Sequence, residues 1–175
     1  MNKIEKLFLK YIIGYKNPKR YWNWRWKFRN PASQPFWNKL HKTISTIMKK
    51  QNCHNILEIG CGEAKLRSLP NYKGLDFSEE IMRRNKLKTF IIADITKKIP
   101  LKDKSYDASF IIDVLLHIPT DRIEQAVKEI CRVTKKCIII TEVPITQQSS
   151  QPHCFEHNLP KLFKDFNGEM IFLEP

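Results

Sequence analysis

The stretch NILEIGCGEA, residues 55–64, joins a run of apolar residues to two glycines separated by one residue. Such a run predicts a buried strand that breaks into a tight turn. Because glycine has no side chain, the backbone N–H groups of this turn can approach a ligand closely. The stretch therefore predicts the first strand of a sheet and the first loop of a binding site.

Strand and helix patterns alternate along the rest of the sequence. The predicted strands are 54–60, 72–77, 89–95, 105–113, 136–143 and 169–174. The predicted helices are 63–69, 78–88, 120–134 and 159–166. Ser78 is the expected N-cap of the second helix, and Thr120 or Asp121 that of the third. Apolar strands that alternate with helices predict an α/β fold, a doubly wound and mostly parallel sheet sandwiched by helices.

Residues 1–50 are predicted to form a helical, aromatic and basic N-terminal extension, and residues 51–175 the main domain. One helical stripe consists of Ile4, Leu7, Phe8, Tyr11 and Ile12. A second consists of Phe36, Trp37, Leu40, Ile44, Ile47 and Met48, in a helix ending near Lys50. The segment between the stripes shows no clear period. The first stripe most simply docks on the domain, and a membrane-surface or partner-docking helix is the alternative.

The formal net charge of +13 and the pI near 9.6 favour a polyanionic partner, either nucleic acid or an anionic membrane surface. A lysine-rich proteome explains this charge equally well. No apolar run is long enough to span a bilayer.

The five cysteines, at positions 53, 61, 131, 137 and 154, form no C-x-x-C pair. Their number and spacing argue against a disulfide framework and a four-cysteine zinc site. Charged residues near the N-terminus also argue against a secretion signal, so we expect a cytoplasmic protein. His153, Cys154 and His157 are the one local cluster of metal-ligand types, but without a fourth ligand we expect no metal.

An acidic residue closes each of three consecutive predicted strands, namely Asp76, Asp94 and Asp113. The carboxyl ends of parallel strands are where such folds bind ligands. Asp76 is placed to accept hydrogen bonds from both hydroxyls of a ribose. A dinucleotide is disfavoured because Lys65 stands where a G-x-G-x-x-G loop has its third glycine.

The segments ILEIGCGEA, GLDFSEEIM and the long run from IIADI to TKK, within residues 54–143, resemble the class I S-adenosylmethionine-dependent methyltransferases. The resemblance implies a Rossmann-like methyltransferase fold and S-adenosyl-L-methionine as the cofactor. Three features differ from the family pattern. Ala64 replaces the usual third glycine, the first helix is short, and the sequence leaves room for one strand in place of the terminal hairpin. A shortened C-terminal edge is therefore expected.

The resemblance also implies roles for individual residues. The amino-acid part of the cofactor would be lined by Glu58, Gly60, Cys61 and Gly62. Asp76 would hold the ribose hydroxyls, with Phe77 packing on the adenine. Asp94 would contact the adenine amino group with Ile95 beside it, and Asp113 and Val114 would flank the methionine portion. A cationic sulfonium suits a loop with Glu58 and Glu63 better than an anionic dinucleotide does.

The segment YWNWRWKFRNP, residues 21–31, interleaves aromatic and basic side chains. It can form a lid over the cofactor, stack on nucleic-acid bases, or pack structurally. Related domains often begin with Tyr-Trp-x-x-Arg, which residues 21–25 match. The lid reading places Trp22 at the cofactor and Arg25 near the methionine carboxylate.

Three histidines are the candidates for a catalytic base. His117 follows the fourth strand on the ligand side, and its alternative role is to pack the following helix. His153 and His157 follow the fifth strand and either overhang the same cleft or shape the loop. Glu142, at the end of the fifth strand, is a weaker candidate.

The expected function is methyl transfer from S-adenosylmethionine to a small-molecule or glycan-type acceptor. A base is needed only when the acceptor must lose a proton. An RNA methyltransferase that uses the basic aromatic segment is the first alternative. A non-catalytic module that keeps the fold and binds a partner is the second. The sequence does not indicate an oligomeric state.

Overall fold

The computed structural model describes residues 17–28, 34–85, 90–142 and 154–174. Within them, a sheet of six parallel strands has the order β3-β2-β1-β4-β5-β6. The strands are β1 Ile56–Ile59, β2 Tyr72–Asp76, β3 Phe90–Ile92, β4 Tyr106–Ile112, β5 Thr134–Thr141 and β6 Glu169–Phe172. The predicted α/β fold with its doubly wound sheet is confirmed. β6 pairs directly with β5.

Five α-helices and one 3₁₀-helix are described. They are α1 Pro18–Phe28, α2 Gln34–Lys50, α3 Glu79–Asn85, the 3₁₀-helix Leu115–His117, α4 Ile123–Val133 and α5 Leu159–Leu162. The predicted helix ending near Lys50 is confirmed by α2. The predicted stripe in residues 4–12 lies outside the described residues. No helix in the described ranges is both long and apolar enough to cross a membrane.

Two apolar clusters cover the two faces of the sheet. On one face, α4 and α5 pack against alternate residues of the strands, such as Leu57, Ile111 and Ile138. On the other face, α2 packs its apolar stripe against Ile56 and Phe110. Because successive side chains of a strand point to opposite faces, strands covered on both sides are apolar throughout. The second half of the N-terminal extension is thus a layer of the core.

The direction of strand order reverses between β1 and β4, which are neighbours at the centre of the sheet. From β1 the chain moves outward through β2 to β3, and it then returns to β4 and continues to β5. The loops after β1 and β4 therefore leave the sheet in opposite directions and open a crevice at the carboxyl ends.

The prediction of a helix at 63–69 was wrong. Residues 62–68 form hydrogen-bonded turns instead, such as the bond from Ala64 N–H to the carbonyl of Cys61 at 2.8 Å. Ala64 has a φ of +50°, a left-handed conformation that a right-handed helix excludes. Pro70 disfavours helical geometry at Leu69. Too few residues remain between these two positions for a stable helix.

Two other helix assignments also differ from the structure. Residues 18–28 form α1, although their sequence showed no clear period. The N-cap of α4 is Arg122 rather than Thr120 or Asp121, and it makes no side-chain cap bond. The carbonyl of Pro119 accepts the N–H groups of Arg122 and Ile123 at 2.9 and 3.1 Å, so a backbone turn replaces the side-chain cap.

Ser78 caps α3 as predicted, because its Oγ accepts the N–H of Ile81 at 3.4 Å. The same hydroxyl donates to Oδ1 of Asn23 on α1 at 2.6 Å. This pair ties α1 to the start of α3, next to the carboxyl end of β2.

Gly168→Ala tests the docking of β6. A Cβ at residue 168 would lie 2.4 Å from the carbonyl oxygen of Lys136 and 2.5 Å from Cε1 of Phe166. Because the nearest atom belongs to the backbone of β5, we expect a loss of about 1–3 kcal/mol in the free energy of unfolding, measured with urea. Asn167→Ala, at the exposed neighbouring position, is the control and should change stability by less than about 0.5 kcal/mol. Equal stability of the two variants would contradict the β5–β6 pairing.

Candidate active site

A cavity of about 690 Å³ opens at the carboxyl ends of the strands. Its wall is formed by the turn after β1, the ends of β2 and β3, the loop after β4, and the starts of α1 and α2. Of the predicted cofactor residues, those that line it are Glu58, Gly60, Cys61, Gly62, Asp76, Phe77, Asp94, Ile95, Asp113, Val114 and Trp22. The topology therefore brings residues from five separate segments of the sequence to one cavity.

The turn after β1 is pressed closely against the loop after β4. Gly60 has a φ of +67°, and a Cβ at this position would lie 2.4 Å from Cγ2 of Val114. Both the left-handed backbone and the lack of space require glycine here. Gly62 also has a positive φ, of +48°. The glycine turn is thus defined by contact with the loop that follows β4.

Asp76 holds the glycine turn to the end of β2. Its Oδ2 accepts the N–H of Gly62 at 3.0 Å, and its Oδ1 accepts the N–H of Ser78 at 2.9 Å. The side chain is buried, and burial raises the pKa of its carboxyl group to about 6 although the backbone donors oppose the shift. Asp76 therefore lines the cavity and also fixes the backbone around it.

Glu58 is an acidic side chain buried inside a β-strand, with an exposed fraction of only 3%. Burial raises the pKa of its carboxyl group to about 8, against the opposing effect of a hydrogen bond from the hydroxyl of Tyr72. Burial likewise raises the pKa of the neighbouring Cys61 thiol. A cation bound beside Glu58 would therefore favour its carboxylate form.

The acids that follow β3 and β4 are held in defined turns. Oδ1 of Asp94 accepts the N–H and the hydroxyl of Thr96 at 3.0 and 2.7 Å. Asp113 has a φ of +48°, and its N–H donates to the carbonyl of Thr141 at 3.0 Å. A left-handed non-glycine residue beside a cavity is typical of functional sites.

Glu142 has a contact that the sequence pattern did not reveal. Its carboxylate accepts the N–H groups of Val114, Leu115 and Leu116 at 3.2, 2.6 and 3.0 Å. Burial raises the pKa of this carboxyl group to about 7, although these backbone donors oppose the shift. Glu142 is not among the described residues that line the cavity. Only the folded chain brings the end of β5 under the loop that follows β4.

The three candidate histidines have different positions. His117 lines the cavity, and its ring centroid lies 4.9 Å from that of Trp22. Its Nδ1 lies 3.8 Å from Sγ of Cys154. His157 donates from Nε2 to the carbonyl of Ile118 at 2.9 Å, which fixes the segment after residue 153 to the 3₁₀-helix. His153 lies outside the described residues.

The start of α1 covers one side of the cavity. Lys19 forms an ion pair with Glu79 at 2.5 Å, and Asn23 is bonded to Ser78. Together with the contact between Trp22 and His117, these interactions attach α1 to both α3 and the loop after β4. The side chain of Arg25, the other predicted lid residue, lies outside what the structure describes.

Glu58→Gln tests the electrostatics of the buried acid. Since the folded protein raises the pKa of Glu58 from 4.5 to about 8, it favours the protonated form. The stability that this acid contributes is therefore lost as pH rises from about 5 to about 8. Gln cannot ionise. The free energy of unfolding of the variant should therefore rise relative to that of the wild type by on the order of a few kcal/mol over this range. Urea unfolding of both proteins at several pH values measures the difference, and pH-independent differences would contradict the burial of an ionisable Glu58.

Residues 57–138 match the family model described as a methyltransferase domain. Magnesium protoporphyrin IX methyltransferase (ChlM) from Synechocystis PCC 6803 shares the fold. With bound SAH it aligns at a TM-score of 0.60 and 15% identity, over 91% of this chain and 88% of that chain. With bound SAM the TM-score is 0.56 and the identity 18%, over 88% and 83%.

The methyltransferase domain of bacterial CtHen1-CN aligns at a TM-score of 0.51 and 19% identity, over 59% of this chain and 65% of that chain. The PH0226 protein from Pyrococcus horikoshii OT3 aligns at a TM-score of 0.49 and 24% identity over 59% of this chain, which spans 55% of its length. None of the curated proteins matches the sequence significantly. Residues 57–138 are thus similar to the methyltransferase-domain family, and the six-stranded sheet has the fold of the magnesium protoporphyrin IX methyltransferase.

Proposed function

We propose that the chain transfers the methyl group of S-adenosylmethionine to a small-molecule acceptor bound in the same cavity. The observation that carries this proposal is the convergence of the glycine turn, the strand-end acids and the aromatic start of α1 on one cavity of about 690 Å³. Cavities of this size are typical of small-ligand sites. When bound, the cofactor supplies a methyl group that is already activated by its positive sulfur.

The charge of the cavity wall fits this cofactor. Acidic residues along the described wall are Glu58, Glu63, Asp76, Asp94 and Asp113. Carboxylates in a site of low water content attract an ammonium group and a sulfonium. Glu58 and the glycine turn would hold the amino-acid portion, and Asp76 the ribose hydroxyls.

The adenine would lie between Phe77 and Ile95, with Asp94 at its amino group. Asp113 and Val114 would flank the methionine portion near the sulfur. This arrangement leaves the region around His117 and Trp22 for the acceptor. Since the methyl group is already activated, alignment of the acceptor and exclusion of water supply much of the acceleration.

His117 is the proposed base for an acceptor that must lose a proton. It lines the cavity beside Trp22, and an imidazole titrates near neutral pH. We propose that α1 acts as the lid of the N-terminal extension, because its contacts with α3 and His117 hold it over the cavity. The roles predicted for Arg25, His153 and His157 stay predictions.

The pairing of basic side chains along the cavity wall favours a small acceptor over RNA. Of the four Lys and Arg residues along the described wall, Lys19, Lys65 and Arg122 form ion pairs with Glu79, Glu63 and Asp121, and Lys97 is the fourth. Paired cations attract phosphates less strongly than a free basic cluster does.

The indole N–H of Trp37 is buried in the wall and is, within the described ranges, the one buried side-chain N or O atom without a hydrogen-bond partner. Such a donor suits an oxygen of a ligand.

Transfer of a labelled methyl group tests the proposal. Purified protein, S-adenosylmethionine with a tritiated methyl group and a cell extract should give labelled products in the small-molecule fraction. His117→Gln should lower the rate of labelling of a hydroxyl acceptor about a hundredfold. His54→Gln, at an exposed position away from the described cavity wall, is the matched control and should leave the rate unchanged.

The size of the product separates the alternatives. Label in high-molecular-mass material that ribonuclease releases would replace the small acceptor with RNA. Absence of transferred label, with binding of the cofactor intact, would favour a non-catalytic module. If small molecules are labelled at equal rates by both histidine variants, the proposed activity is supported but His117 is not the base.

A further inference from the structure

Glu142 is the first residue after β5, and its side chain reaches beneath the loop that follows β4. Oε1 accepts the N–H groups of Val114 and Leu115, and Oε2 accepts that of Leu116. These donors are the first N–H groups of the 3₁₀-helix, which the helix itself leaves unpaired. Val114, the N-cap of this helix, makes no side-chain cap bond. A carboxylate from the neighbouring strand therefore replaces the missing local cap.

The loop that Glu142 supports carries side chains toward both ends of the cavity. Val114 packs against the backbone of Gly60, where even a Cβ would lie only 2.4 Å from Cγ2 of Val114. Three residues later, the ring of His117 contacts the ring of Trp22. The three hydrogen bonds thus fix the short segment that connects the glycine turn with the lid.

The backbone entering this loop is strained, and β5 holds it in place. Asp113 adopts a left-handed conformation, which residues other than glycine rarely adopt. Its N–H donates to the carbonyl of Thr141, the residue before Glu142. Thr141, the last residue of β5, and Glu142, the residue after it, therefore accept four consecutive N–H groups, from Asp113 to Leu116.

We propose that Glu142 is a positioning residue for methyl transfer. It holds the loop that places Val114 against the glycine turn and His117 against α1, the proposed lid. This inference rests on the function proposed above. Glu142 acts through the backbone of its neighbours, because it is not among the described residues that line the cavity. Its role is therefore distinct from that of a base.

A graded series of substitutions tests the inference. Glu142→Gln retains one carbonyl oxygen that can accept N–H groups, whereas Glu142→Ala retains none. Labelled methyl transfer into the small-molecule fraction of a cell extract, at several concentrations of S-adenosylmethionine, gives kcat and KM for each variant. We expect kcat to fall about tenfold for Gln and about a hundredfold for Ala, because small displacements of catalytic groups have effects of this size. KM for S-adenosylmethionine should rise by a smaller factor than kcat falls. Glu124→Gln, on the exposed first turn of α4, is the matched control and should match the wild type.

Amide hydrogen exchange supplies a readout that does not depend on activity. Exchange at Val114, Leu115 and Leu116 should become faster in the order wild type, Gln, Ala, while β1 and β4 keep their protection. If the wild-type protein is inactive but exchange is faster in the variants, the proposed methyl transfer fails while the support of the loop by Glu142 is retained. Unchanged exchange, an unchanged kcat, or equal losses in kcat and cofactor binding would each overturn the positioning role.

Discussion

Residue 60 has no room for a side chain, and this lack of space determines how the segments of the site meet. A side chain there would occupy the position of Val114, so the turn after β1 and the loop after β4 can meet only through glycine. Asp76 then binds the N–H of Gly62 and joins the same turn to the end of β2. Three strand ends are in this way fixed relative to one another. The cavity has a defined shape because these contacts are short and directional.

The electrostatics of the site impose a cost on the folded protein. Glu58, Asp76 and Glu142 all have carboxyl pKa values raised mainly by burial. Burial without a cationic partner destabilises the charged form of an acid. Elsewhere in the described structure, Glu129 is paired with Arg132 at 2.6 Å, and the pKa of its carboxyl group is lowered chiefly by that partner. The acids of the site therefore differ from a structural ion pair, and a cationic ligand would reduce the cost of burying them.

Much of the fold could be predicted because its signals are local. The strands follow from continuous apolar runs, α2 follows from its 3.6-residue period, and the cap at Ser78 follows from a serine before two glutamates. The error at residues 63–69 arose because the left-handed φ of Ala64 depends on the packed turn rather than on alanine itself. α1 was missed because the aromatic and basic residues in it conceal the helical period.

The candidate site could be predicted only in part. Asp76 is the last residue of β2 and Asp94 lies two residues after β3, so their convergence follows from the parallel sheet. The support that Glu142 gives to residues 114–116 joins segments that are 26 to 28 positions apart, and no sequence pattern encodes such a bond. The position of α1 across the cavity depends in the same way on long-range contacts, including those of Lys19 with Glu79 and Asn23 with Ser78.

We propose that the glycine turn and the strand-end carboxylates form one pocket for an adenosine with a cationic sulfur. Isothermal titration of the wild-type protein with S-adenosylmethionine measures this binding without any acceptor. We expect a saturable isotherm with one molecule bound per chain, and a loss of affinity of at least tenfold in Gly60→Ala. A flat isotherm for the wild type, or equal affinity in the two proteins, would contradict this proposal.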